Sequence, residues 1–103
     1  MSKADDSTRR DPAMRRQRDW IHESVVSVTR GARQDKDLSQ TKAAELMGWS
    51  KSVMVNLENL RRDLGVADFI LLAEKYDLDP QDLFATVMFH LRQRRRGRKP
   101  AVK

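Results

Sequence analysis

Lys51, Ser52, Val55 and Asn56 fall at positions i, i+1, i+4 and i+5 of one short segment, and their chemistry is recognition, not bond-making. On a helix that spacing gathers them on one face. An Asn amide can bind adenine in a bidentate way, a Lys ammonium reaches guanine acceptors or a phosphate, and a Val methyl packs on the thymine methyl. Val53 or Met54, and then Leu57, take the inward side. Alone, such residues are as readily plain solvated helix surface. The segment before them changes the balance. Ser39 is a good N-cap for a helix over Thr41 to Met47, with Ala44 and Met47 on a shared face. Gly48 supplies a left-handed stop, Trp49 fills the turn, and Ser50 caps a second helix from Lys51 to about Glu58. Two short helices joined by a tight turn, the second with a polar outer face and a positive start, have the shape that a major groove accepts.

The elements that must position this pair are also helical. Asp19 to Arg33 repeats Ile21, Val25, Val28 or Thr29, and Ala32 at helical spacing, with Gly31 lowering the propensity. Gln34 to Asp37 is a polar turn, residues 60–65 a loop, and Gly65 an N-cap. The next helix is expected to bury Val66, Phe69, Ile70, Leu72 and Ala73. Asp79 followed by Pro80 starts a last helix, whose stripe of Leu83, Phe84, Val87, Met88 and Leu91 runs to about residue 91. There are no internal repeats and no strand-like alternation. The expected fold is therefore all-α, a five-helix domain over residues 19–91, between a disordered basic N-terminal arm (1–18) and a basic C-terminal tail (92–103).

Charge is distributed unevenly. Residues 1–18 carry six basic side chains and three acidic ones, residues 19–91 eight and twelve, and residues 92–103 seven and none. The flanks thus supply most of the long-range attraction to phosphate. The chain of 103 residues has no cysteine, which excludes disulfides, zinc fingers and thiol catalysis and fits a reducing cytoplasm. No apolar run approaches the roughly 20 residues of a membrane helix. His22 and His90 have no ligand cluster around them in sequence. No acid–base motif, phosphate loop or metal motif is present, so neither enzymatic activity, nor a cofactor or metal, nor a small-molecule ligand is expected.

Leu38-Ser39-Gln40, Ala43-Ala44, Gly48-Trp49-Ser50 and Leu57-Glu58-Asn59, in that order, resemble the Xre family, the lambda-repressor-like helix-turn-helix proteins. The likeness continues through Phe69 to Leu78 and Asp79 to Phe84, and covers about residues 19 to 86. It implies a five-helix lambda-repressor-like domain that binds double-stranded DNA as a homodimer and regulates transcription, in the cytoplasm on the nucleoid. It also implies that Gln40 touches a phosphate or base, and that Arg33 and Glu58 pair across helices 1 and 3. The contact set it gives is Gln40, Thr41, Ser50, Lys51, Ser52, Val55, Asn56 and Asn59, with Arg61 and Arg62 beyond. Two positions where the family usually has Gly are Asp37 and Leu60 here, which makes Asn59 the expected left-handed residue. The loop before helix 4 is slightly long.

Arg94, Arg95, Arg96, Arg98 and Lys99 are expected to contact DNA from the tail. Arg96-Gly97-Arg98-Lys99-Pro100 resembles an AT-hook broken by Lys99; a solvated tail adding phosphate affinity is the alternative. Leu83, Val87 and Leu91, with Met88 at the edge, are expected to be covered by a second copy, unless the stripe folds back on helix 1 near Trp20 and Ile21. Two other functions share this fold. One is a protein-interaction module using Leu60, Leu64, Leu71 and the late stripe of helix 5, with a toxin or co-regulator as partner. The other is an architectural DNA binder held by its arms.

Overall fold

Asp11 and Pro12 open the first helix. The Asp11 carboxylate accepts from the Ala13 amide at 2.9 Å, and Pro12 takes the first helical position, where its missing N–H and fixed φ cost nothing. The helix, α1, runs Pro12–Asp35. The computed structural model describes residues 11–102, with side chains placed for 11–97. The expectation of a disordered arm is thus corrected from residue 12 onward, and residues 1–10 lie outside the description. Polar composition concealed a helix with a capped start.

Four further helices follow: α2 Gln40–Met47, α3 Lys51–Glu58, α4 Val66–Lys75 and α5 Pro80–Val102. The Ser39 hydroxyl accepts from the Lys42 amide, and the Asp79 carboxylate from the Gln81 amide, so both sequence-level start signals operate as expected. The tail does not begin at residue 92, because α5 continues through it. The fold is all-α, with no strand among the described residues.

The first four helices stop in one way. Leu38 N bonds Arg33 O, Trp49 N bonds Ala44 O, Arg61 N bonds Asn56 O, and Leu78 N bonds Ala73 O, all within 2.8–3.1 Å. Each six-residue closure needs a left-handed residue just before the donor. Asp37 (φ 57°), Gly48 (φ 72°), Leu60 (φ 65°) and Asp77 (φ 62°) supply it. The left-handed residue after α3 is therefore Leu60, not Asn59, whose φ is −94°. Both places where Gly would be usual keep the left-handed turn without Gly.

α1 packs along α5, α2 against α3, and α4 against α5, while α1 also touches α3 and α2 touches α4. Val28 and Ala32 of α1, Ala43 and Ala44 of α2, Met54 and Leu57 of α3, Leu72, Ala73 and Tyr76 of α4, and Leu83 and Val87 of α5 form one core. Alanines on α2 let α3 approach closely. Leu83, Val87 and Leu91 are 6%, 2% and 3% exposed, so this stripe is not left over for a second copy. α1 packs along α5 and covers it, and the dimer surface expected there is corrected.

The apolar faces of α1, α4 and α5 also differ from expectation. Ile21, Val66, Ile70 and Phe84 are exposed, with Val66 at 78%, whereas Ser24, Val26 and Tyr76 are buried. α4 carries apolar residues nearly all round, and its buried residues follow the Phe69, Leu72, Ala73, Tyr76 spacing. Phe69 is only half-buried, and meets Phe84 edge to face with ring centroids 6.3 Å apart.

Candidate nucleic-acid interface

α3 is held from its inner side. Met54 and Leu57 are fully buried, and at the C-terminal end the Glu58 carboxylate sits in the interior opposite Arg33. Arg33 donates from Nε to Oε2 at 2.8 Å and from Nη2 to Oε1 at 3.0 Å, a fork on fork. Its third arm, Nη1, donates to the Leu38 carbonyl at 2.7 Å. The side chains of this pair are 10% and 3% exposed. The hydrogen bond to Glu58 holds the Arg33 pKa above its usual value. Tyr76 lies near both charges. Burial, reinforced by the Glu58 carboxylate and opposed by Arg33, pushes its phenol up to about 12.

The outer face of α3 is open. Lys51, Ser52 and Asn56 are exposed and Val55 is half-buried, with Thr41, Ser50 and Asn59 exposed around them. These side chains of the expected reading set are therefore accessible in the structure. Ser50 has N-cap geometry, yet its side chain makes no capping bond. The first-turn amides of α3 are left uncapped by it, the state in which a helix start takes up a phosphate oxygen.

Gln40 is placed differently. It is half-buried, and its Nε2 donates to Glu58 Oε1 at 3.1 Å, so this donor is spent on the Arg33–Glu58 pair and the amide oxygen remains for an outside group. Beyond α3, Arg61 is exposed. The Arg62 guanidinium stands over the Trp49 ring at 5.1 Å and 3.9 Å from Asp68, with its side chain 40% exposed. His22 of α1 donates from Nε2 to the Arg62 carbonyl at 3.0 Å. This bond, 40 residues apart in sequence, ties the loop after α3 to α1, and no local pattern announces it.

Arg94 is corrected from tail contact to structural clamp. Its Nη1 donates to the Trp20 carbonyl and to Ser24 Oγ, both at 2.9 Å. Its Nη2 meets Glu23 at 3.0 Å, and its guanidinium lies 4.3 Å over the Trp20 ring. The fully buried Ser24 is the one sequence hint, a hydroxyl on an otherwise apolar face that needs a donor. Arg95 and Arg96 are exposed, with Arg95 at 5.9 Å on the same ring. The side chains of Arg98 and Lys99, and with them the AT-hook likeness, lie outside the description.

No group of His, Cys, Asp or Glu that could hold a metal forms among the described residues, and none of their helices is long and apolar enough to cross a membrane. The family model HTH_3, helix-turn-helix, matches residues 30–83. A comparison with curated protein sequences gives no match. Among solved structures, the crystal structure of the clp gene regulator ClgR from Corynebacterium glutamicum superposes with a TM-score of 0.70 at 16% identity, covering 79% of this chain and 86% of that one. At that identity the likeness speaks for the fold.

Proposed function

Because the chain belongs to the Xre, lambda-repressor-like helix-turn-helix family, we propose that it is a sequence-specific transcriptional repressor that reads the major groove with α3 as a homodimer. One observation carries this reading. The inner side of α3 is locked by Met54, Leu57 and the buried Arg33–Glu58 pair, while Lys51, Ser52 and Asn56 point outward with no structural duty. Preorganised elements with an unspent polar face are what base readout requires. Lys51 and Asn56 read bases and Val55 meets a thymine methyl. Gln40, anchored by Glu58, positions the helix and offers its oxygen to an outside donor. Arg61, Arg62, Arg95 and Arg96 serve phosphates.

Selection of bound sequences from random DNA at near-physiological salt tests this. An enriched two-fold-related site is expected. Lys51→Ala and Asn56→Ala should each weaken binding to it by about 1–3 kcal/mol with unchanged melting. Full affinity in both variants defeats the assignment of α3 as reader.

For the second copy, the fold leaves a different surface from the late α5 stripe. Val66, Ile70 and Phe84, with Phe69 between them, make an exposed apolar patch where α4 meets α5, which water does not favour leaving open. Sedimentation of an Ile70→Glu/Phe84→Glu variant beside wild type decides. A dimer lost in the variant is expected, and a monomeric wild type at tens of micromolar, with and without DNA, removes the dimer.

A further inference from the structure

Residues 11–20 with 91–97 carry seven basic and two acidic side chains, whereas residues 21–90 between them carry eight and eleven. Folding brings the two basic segments together, because α1 packs along α5 with Arg94 and Arg95 at Trp20. One end of this helix pair is thus positive while the rest of the domain is acidic. Within that end, Arg15 and Arg18 are set apart by the face they occupy. Positions 15, 18, 22, 26, 29 and 33 recur at intervals of three and four, so they share one side of α1. That side is the one turned to α3 and its exit. Arg33 pairs with Glu58 of α3, Val26 and Thr29 are buried, and His22 bonds the Arg62 carbonyl in the loop that leaves α3. Beyond His22 the face runs past the core, and both arginines on it are exposed. Both precede the segment that the family model matches.

By helical rise, Arg18 stands about 6 Å and Arg15 about 10 Å past His22 along the axis of α1. Each strand of a duplex presents a phosphate every 3.4 Å or so of its axis, and guanidinium groups suit phosphate by their fork of donors. We propose, on the reading of α3 as the groove-facing helix, that Arg15 and Arg18 bind the sugar-phosphate backbone of the same duplex. They extend the phosphate track of Arg61 and Arg62 onto α1. The His22 bond ties the loop carrying Arg61 and Arg62 to the face carrying Arg18 and Arg15, so the track belongs to the folded domain. Its contacts are preorganised, unlike those of an arm that must order on binding. The acidic neighbours are outnumbered. Asp11 caps the helix start and Glu23 is held by Arg94, which leaves Asp19 against Arg15, Arg16 and Arg18 on this half of α1.

Full-length Arg15→Ala/Arg18→Ala and Arg15→Lys/Arg18→Lys, compared with wild type on two duplexes of equal length, test it. One duplex carries the selected site and the other a mixed sequence. The alanine pair should lower the log–log salt slope by up to about 0.9 per lost phosphate contact on both duplexes, with the preferred sequence unchanged. The lysine pair keeps the charges and should keep the slope. Ethylation of single phosphates on the selected duplex should reveal wild-type contacts that vanish in the alanine pair and adjoin those lost in Arg61→Ala/Arg62→Ala. If no site is enriched, the reading of α3 fails, yet the slope on the mixed duplex still reports whether the two arginines meet phosphate. A slope unchanged in the alanine pair, a slope lowered equally in the lysine pair, or an ethylation pattern that the alanine pair shares with wild type overturns the proposal.

Discussion

Removing the Glu58 charge by Glu58→Met leaves the Arg33 guanidinium in the interior with its side chain 10% exposed and its counter-charge gone. Breaking a buried pair in this way costs about 3–5 kcal/mol, a large part of the roughly 5–15 kcal/mol that holds a domain together. At about 4–8 °C per kcal/mol for a domain of this size, melting falls by at least about 12 °C. Arg33→Met strands Glu58 and Gln40 and should cost a similar amount. The double variant Arg33→Met/Glu58→Met leaves no orphaned charge, and is expected within about 2 kcal/mol of wild type. The coupling energy is then about 4 kcal/mol or more. Urea and thermal unfolding followed by circular dichroism, at 0.15 and 0.5 M salt, measure all four proteins. Salt should change the coupling little, since screening acts weakly on buried pairs. A double variant that loses the sum of the two singles, or singles costing under about 1 kcal/mol as exposed pairs do, refutes the view that the charges hold each other and fix α3.

Arg94→Ala should destabilise the fold by about 2–3 kcal/mol, through its lost bonds to α1, and leave the salt slope of DNA binding unchanged. Arg95→Ala/Arg96→Ala should do the reverse, lowering the slope by up to about 0.9 per lost phosphate contact. Gly48→Ala and Gly31→Ala should shift melting in opposite directions. A Cβ meets nothing at either site, so the first costs about 1–2 kcal/mol for the left-handed backbone and the second gains about 0.8–1 kcal/mol within α1. Tyr76 is the single tyrosine, so absorbance near 295 nm titrates it directly. A midpoint near 12 is expected against an unfolded value near 10. With the folded pKa raised, the stabilisation is whole below pH 10 and fades between pH 10 and 12, and Tyr76→Phe should flatten that alkaline loss.

Local signals were legible in the sequence. The bounds of α3, the Ser39 and Asp79 caps and the Gly48 stop each depend on a few adjacent residues, and all stand as read. What stayed hidden depends on distant partners. Residues 12–18 looked like a solvated arm because their helix is secured by one cap and by packing further along. Val66 and Ile70 looked buried because α4 is apolar on more than one side, and only α5 decides which side faces in. Arg94 looked like one more tail charge because Trp20, Glu23 and Ser24 lie 70 or more positions earlier. At the candidate site, the outward placement of Lys51, Ser52 and Asn56 on α3 was readable from helical spacing. The anchoring of Gln40, Arg62 and His22 was not.

The antiparallel seam of α1 with α5, closed by Arg94 on Trp20, bears on the order in which the domain can assemble. α2 and α3 are neighbours in sequence and can meet as soon as both have been synthesised. α1, made first, has its long partner made last, so its Ser24 and Val28 face must wait in water until residues near 87–94 arrive. Long-range closure of this kind slows folding. On the ribosome the nascent chain therefore exposes the side of α1 around Trp20 and Val28 until α5 has been made. That interval is when a chaperone or protease has access to it.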